Sequence, residues 1–280
     1  MRGLRYHCRC WGAPGQPALF LLHGWMDVSA SFQFLVDALR GDWRVIAPDW
    51  RGFGLSDRSK GGVYWFPDYF ADLEALLRHF QADRPAVLVG HSMGGNVAAM
   101  YAGIRPERVA RVVNLEGFGL AGTDPQQAPR RYARWLDELA GAPPSFRDYD
   151  SYDALAARLR EANARLTAER AAFLARHWGR AKPDGRVELA SDPAHKLVNP
   201  VLYRLEEAEA CWRNVAAPVL WVEGAESGIP GALRVTPQAL AARKACFRGL
   251  VERVIPDAGH MLHHDQPERL ADVIEDFLAG

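Results

Sequence analysis

Short apolar runs alternate with stretches of helical period along most of this chain. The runs are Ala18 to Leu22, Trp43 to Ala47, Ala86 to Val89, Val109 to Leu115, Pro218 to Val222 and Leu250 to Ile255. Each is short enough to be a strand buried on both faces. Between them, helices are expected over Ser31 to Leu39, Tyr69 to Phe80, Asn96 to Ala102, Pro237 to Arg243 and Pro267 to Leu278. In the second of these, Phe70, Leu73, Leu76, Leu77 and Phe80 recur at three- and four-residue steps and form one apolar face. Alternation over Leu4 to Trp11 adds an N-terminal edge strand with Cys8 and Cys10 on one face. The pattern predicts an α/β fold, a mostly parallel sheet flanked by helices on both sides.

The alternation stops between residues 121 and 212. Strand-like runs vanish there, and two amphipathic stretches carrying arginines appear at Tyr152 to Asn163 and Ala168 to His177, the second with Thr167 as its N-cap. Pro143-Pro144 and Lys182 to Arg186 read as loops. Residues 121–212 are therefore expected to be a helical lid inserted into a core domain made of residues 1–120 and 213–280. Arg158, Arg160, Arg165, Arg170 and Arg176 belong mostly on its solvated faces. Tyr132, Trp135, Phe146, Phe173 and Trp178 are expected to face the core.

Composition narrows the partners. Of 280 residues 49% are apolar, and 34 basic side chains balance 34 acidic ones, so no global field draws in nucleic acid or an anionic membrane. A small neutral or weakly polar molecule is the expected substrate. No run of about 18 apolar residues exists to span a membrane. Met1 to Trp11 lacks the apolar centre of a secretory signal, which points to a cytoplasmic protein. Cys8, Cys10, Cys211 and Cys246 have no metal-like spacing beyond one C-x-C and are expected to be reduced and structural. Neither a metal nor a cofactor is expected.

Chemistry concentrates at Gly90-His91-Ser92-Met93-Gly94-Gly95, which lies between an apolar run and a helix-like stretch. Strand, turn and helix in that order suit a nucleophile elbow, in which a strained serine lifts its hydroxyl clear of the sheet edge. A serine hydroxyl needs a base, and the base needs an orienting group. Among nine histidines, His260 follows the last apolar run, at the sheet edge where a parallel sheet gathers its site. His263 and His264 are the alternative bases, but they read first as surface residues near a helix start. His23-Gly24-Trp25 follows the run Ala18 to Leu22, and the Trp25 and Met93 N–H groups are the candidate oxyanion-hole donors. His23 itself reads as a structural tie for that loop.

His23-Gly24-Trp25, Asp49-Trp50-Arg51-Gly52-Phe53-Gly54-Leu55-Ser56, the Ser92 elbow and Gly259-His260 together resemble the α/β-hydrolase fold superfamily. The resemblance implies an eight-stranded sheet, a triad in the order Ser, acid, His, and a lid. It also implies that Asp49 to Ser56 is a structural loop near the site. Most members place the acid three residues beyond the glycine that corresponds to Gly224, and here that position is Ser227, with Glu226 and Glu223 out of step. Glu116, after Val109 to Leu115, is similar to the strand-end glutamate that serves as the acid in some haloalkane dehalogenases. A carboxylate there would be costly to bury without a partner. Glu116 is the leading candidate for the acid and Glu226 the alternative.

Haloalkane dehalogenases and epoxide hydrolases use an aspartate where Ser92 stands, so the chain is expected to attack acyl carbon instead. The leading expectation is a serine hydrolase that cleaves a small or medium, mainly apolar carboxylic ester through an acyl-enzyme. A thioesterase or a carbon–carbon bond hydrolase would use the same triad. A ligand receptor on this fold is the alternative from another class, and it would show turnover far below the usual ~1 per second.

Overall fold

A computed structural model describes residues 1–59, 61 and 63–280. The chain runs through β1 (Cys8–Trp11), β2 (Ala18–Leu22), α1 (Gln33–Ala38), β3 (Arg44–Pro48), α2 (Phe66–Phe80), β4 (Ala86–His91), α3 (Met93–Ile104) and β5 (Val109–Leu115). Next come α4 (Ala128–Ala140), α5 (Tyr152–Ala162), α6 (Ala168–Trp178), β6 (Gly179–Ala181), β7 (Val187–Leu189) and α7 (Leu205–Arg213). The chain closes with β8 (Val219–Gly224), α8 (Ile229–Ala232), α9 (Pro237–Lys244), β9 (Val251–Ile255), α10 (Leu262–Asp265) and α11 (Pro267–Ala279).

The main sheet has the order β1-β3-β2-β4-β5-β8-β9. All its pairings are parallel except that of β1, which runs antiparallel along β3. Its seven strands among the described residues correct the eight that the family resemblance implies. The chain has no apolar run to supply another: before β2 only Cys8–Trp11 pairs, and the segment ahead of it, Met1 to His7, is broken by Gly3 and two arginines.

Period-two alternation in the central strands builds a core on each side of the sheet. Phe20 and Leu22 pack with Leu73, Leu77, Val97 and Tyr101 beneath α2 and α3. Leu19 and Leu21 pack on the opposite side with Leu35, Leu270 and Ile274 of α1 and α11. The crossovers that place helices on both faces also bring the C-terminal ends of β4, β5, β8 and β9 together.

Between β5 and β8 lie four helices and a two-stranded sheet. The hairpin β6–β7 corrects the expectation that strands are lacking there, since the Lys182 to Arg186 loop is its turn. At three residues each, those strands are too short to show a period. Leu155, Leu166, Leu174 and Val187 form a small apolar cluster of their own. Thr167 caps α6 by accepting from the Arg170 N–H. Phe173 stacks edge-on against Phe34 and the Trp178 indole donates to Ser31, so both face the core, but Tyr132 is half exposed on α4. No helix among the described residues is long and apolar enough to cross a membrane.

Candidate active site

Ser92 is the hinge between β4 and α3, with φ 52° and ψ −113°. Few side chains tolerate that region, and surrounding structure must hold it. The Ser92 N–H does so by donating to the Leu115 carbonyl of β5 at 2.7 Å. Glycines make the turn possible. A Cβ on Gly90 would lie 2.3 Å from the Gly94 carbonyl oxygen, and one on Gly94 would lie 2.0 Å from that of Leu22. Both obstacles are backbone, so α3 can approach β4 and the end of β2 this closely only where side chains are missing.

His260, in the turn after β9, reaches both partners across the sheet edge. Its Nε2 lies 3.1 Å from Ser92 Oγ and its Nδ1 lies 3.1 Å from Glu116 Oε2. Glu116 follows β5 at φ 58° and is 1% exposed. Its Oε1 accepts the Gly224 N–H at 2.7 Å, and its Oε2 also accepts the Ser227 hydroxyl. Two donors, one from the last residue of β8 and one from the loop after it, thus orient the buried carboxylate toward the imidazole and satisfy it.

The structure brings Ser92, His260 and Glu116 together and leaves Glu226 apart. The Glu226 side chain points outward and pairs with Arg165. Sequence reasoning missed Ser227, because a hydroxyl cannot balance an imidazolium. Its signal was positional, since it occupies the place where most of the superfamily carries the acid.

Met93 opens α3, so its N–H lies outside the helical hydrogen-bond ladder, at the positive end of the helix dipole. The loop holding Gly24 passes close to the serine: a Cβ on Gly24 would sit 3.2 Å from Ser92 Cβ. Trp25 and Met93 both line the adjoining cavity. His23 ties the loop down as expected, since its Nδ1 pairs with the Gly24 carbonyl at 2.7 Å and its Nε2 accepts the Trp50 N–H at 2.9 Å.

His263 and His264 correct the reading of them as surface residues. They are 0% and 2% exposed, because the short α10 turns its inner face against α1 and the loop before it. His91, beside the serine, was also missed. Its Nε2 lies 2.8 Å from the His260 carbonyl, and burial, reinforced by His263 and His260, pushes its pKa well below the ordinary value. A neutral His91 that donates from Nε2 therefore steadies the backbone of His260.

A cavity of about 530 Å³ opens above Ser92, within the size range of small-molecule sites. Trp65, Phe66, Phe118, Leu120, Trp135 and Leu233 are among the apolar residues that line it. Asn96, His195 and Asn199 add neutral polar groups, and no lysine or arginine is among the described lining residues.

His195 is stacked between Phe53 and Tyr64 at centroid distances of 3.9 and 3.7 Å, and burial lowers its pKa to about 4. Between the unfolded value near 6.5 and about 4, the unfolded chain binds the proton that the folded chain refuses, so stability falls as pH falls. The expected slope from this group is about 1.4 kcal/mol per pH unit. Urea midpoints measured across that window should drop on acidification, and His195→Phe, which keeps the stacking, should flatten the slope.

A sequence model of the alpha/beta hydrolase fold matches residues 17–267. The chain belongs to the α/β-hydrolase fold family. This hydrolase is 32% identical over 283 residues to the serine hydrolase-like protein of Danio rerio, covering 96% of this chain and 83% of the relative. It is 28% identical over 262 residues to the 2-(acetamidomethylene)succinate hydrolase of Mesorhizobium japonicum, covering 94% and 88%. A thioesterase domain from the curacin biosynthetic pathway matches with a TM-score of 0.88 over 99% of this chain and 96% of that one, at 24% identity, a likeness of fold.

Proposed function

We propose that this hydrolase cleaves small to medium, mainly apolar carboxylic esters through an acyl-enzyme on Ser92. The observation that carries the reading is His260, whose two ring nitrogens span Ser92 and Glu116 at 3.1 Å each. Nε2 takes the Ser92 proton as Oγ attacks the acyl carbon, and Glu116 holds the resulting imidazolium in place. The Met93 and Trp25 N–H groups receive the oxyanion of the tetrahedral intermediate. As that intermediate collapses, His260 passes the proton to the departing alkoxide. Water, deprotonated by the same nitrogen, then attacks the acyl-enzyme, and its collapse frees the acid and restores Ser92.

The wall chemistry supports the choice of substrate. With no cation among the described lining residues, an acyl chain bearing carboxylates would enter without a counter-charge, whereas an alkyl chain meets aromatic and aliphatic surface. Residues 121–212 act as the lid: Trp135, Leu197 and Val198 close one side of the cavity and set the length of chain it accepts.

Aryl esters of increasing acyl length test this directly. Specificity, as kcat/KM, should rise roughly fourfold for each methylene that becomes buried until the cavity is filled. The (acetamidomethylene)succinate dianion hydrolysed by the Mesorhizobium japonicum relative should turn over poorly. Fast hydrolysis of that dianion, with slow turnover of neutral esters, would displace the ester reading.

A further inference from the structure

Behind His260, on the side away from the cavity, polar atoms converge that the proposed reaction does not use. Asp27, from the loop after β2, His91, at the end of β4, and His263, on α10, are 2%, 1% and 0% exposed. One donor atom from each lies within 4.8 Å of the other two. Asp27 Oδ2, His91 Nδ1 and both ring nitrogens of His263 have no hydrogen-bond partner among the described residues. His263 Nε2 stands 3.8 Å from Asp27 Oδ2, too far for a hydrogen bond. Orphaned buried groups are rare because each forfeits its hydration, and a cluster aimed at one point calls for an occupant.

The surrounding bonds prepare these atoms as ligands. Asp27 Oδ1 is occupied by the Val28 N–H at 2.7 Å and by the Ser31 hydroxyl, which fixes the carboxylate and leaves Oδ2 free. His91 places Nε2 against the His260 carbonyl at 2.8 Å, so Nε2 carries the proton and Nδ1 presents its lone pair. A ring nitrogen that donates to a carbonyl while the other faces inward is the usual support of a metal-bound histidine. Tetrahedral zinc with ligand bonds of about 2.0–2.1 Å needs donors roughly 3.3 Å apart. A small rotation of the His263 ring, which no hydrogen bond among the described residues holds, would bring it toward the fixed Asp27 Oδ2 and His91 Nδ1.

We propose that Asp27, His91 and His263 bind one divalent transition-metal ion, of the zinc or cobalt class, with water completing a four-coordinate shell. Two imidazoles and one carboxylate suit borderline ions, which excludes calcium and magnesium as preferred occupants. The ion would bolt together three segments: the loop of Trp25, the strand leading to Ser92, and the short helix after His260. Its role is structural, since it sits behind the base.

The test is titration of the metal-stripped full chain with Co²⁺ and Zn²⁺. The expected result is one Co²⁺ bound per chain, with the visible absorption of a four-coordinate ion, and a melting temperature that rises with Zn²⁺ concentration. Asp27→Asn and His263→Gln should each weaken binding about 100-fold or more, while His260→Gln leaves it unchanged. If Asp27→Asn fails to fold, X-ray absorption on the wild-type Zn²⁺ complex decides, with nitrogen and oxygen ligands expected and a thiolate from Cys8 or Cys10 overturning the proposal. Absence of binding by the wild type would also overturn it, leaving an ordered water to satisfy the cluster. So would binding that survives Asp27→Asn and His263→Gln, or binding lost in His260→Gln, which would put the ion at the triad.

Discussion

Ser92→Ala should lower kcat for aryl ester hydrolysis by roughly 10³- to 10⁶-fold, with the fold unchanged. The loss is large because no other hydroxyl takes its place. The Ser227 hydroxyl also lies beside the triad, but it is committed to Glu116 Oε2 on the Nδ1 side of His260, away from Nε2. Stability should barely move. The left-handed backbone at Ser92 is fixed by its N–H bond to Leu115 and by the contacts at Gly90 and Gly94, all of which alanine keeps. Alanine adds no atom beyond Cβ, and the side-chain partner it gives up is His260 Nε2. Initial rates and thermal unfolding on the same preparation check both halves. Turnover retained in a folded Ser92→Ala protein would remove the serine mechanism.

How far this site could be read from sequence depends on the range of the interaction concerned. Ser92 was legible because its elbow is local: a strand, two glycines and a helix within a dozen residues. The central strands were legible for the same reason, and Ala18–Leu22 and Val109–Leu115 have the bounds their apolar runs imply. Helices α4 and α7 were not: charges, five of 13 residues in α4 and four of nine in α7, are interleaved with the apolar positions, and α4 buries none of its side chains. Glu116 joins His260 across 144 positions, a distance at which no spacing carries information, and what pointed to it was its strand-end placement together with the likeness to the strand-end glutamate of some haloalkane dehalogenases. His263 and His264 show the opposite failure. Two adjacent polar residues before a proline read as surface, yet α10 is short enough for both to turn inward against α1 and the loop before it.

Glu116→Gln should reduce kcat by about 10⁴-fold, while Glu226→Gln stays within a few-fold of wild type. Glutamine keeps the size of the side chain and can still bond to the Gly224 N–H, so the packing at the end of β5 survives. What changes is the imidazole. An amide offers His260 Nδ1 either no negative charge or, if flipped, a donor that turns the ring to the wrong tautomer and removes the lone pair needed at Nε2. Because Glu116 accepts from both Ser227 and His260, the neutral amide cannot satisfy the two donors as well as the carboxylate does. Ser227→Ala, which removes one orienting donor and leaves the charge, should fall between the two with a loss of roughly 10-fold. At Glu226 the side chain is about half exposed and its partner is Arg165, so its charge lies outside the site and is screened by water. The ratio of the two glutamine variants therefore decides which carboxylate serves His260: a larger loss in Glu226→Gln than in Glu116→Gln would transfer the acid to the loop after β8.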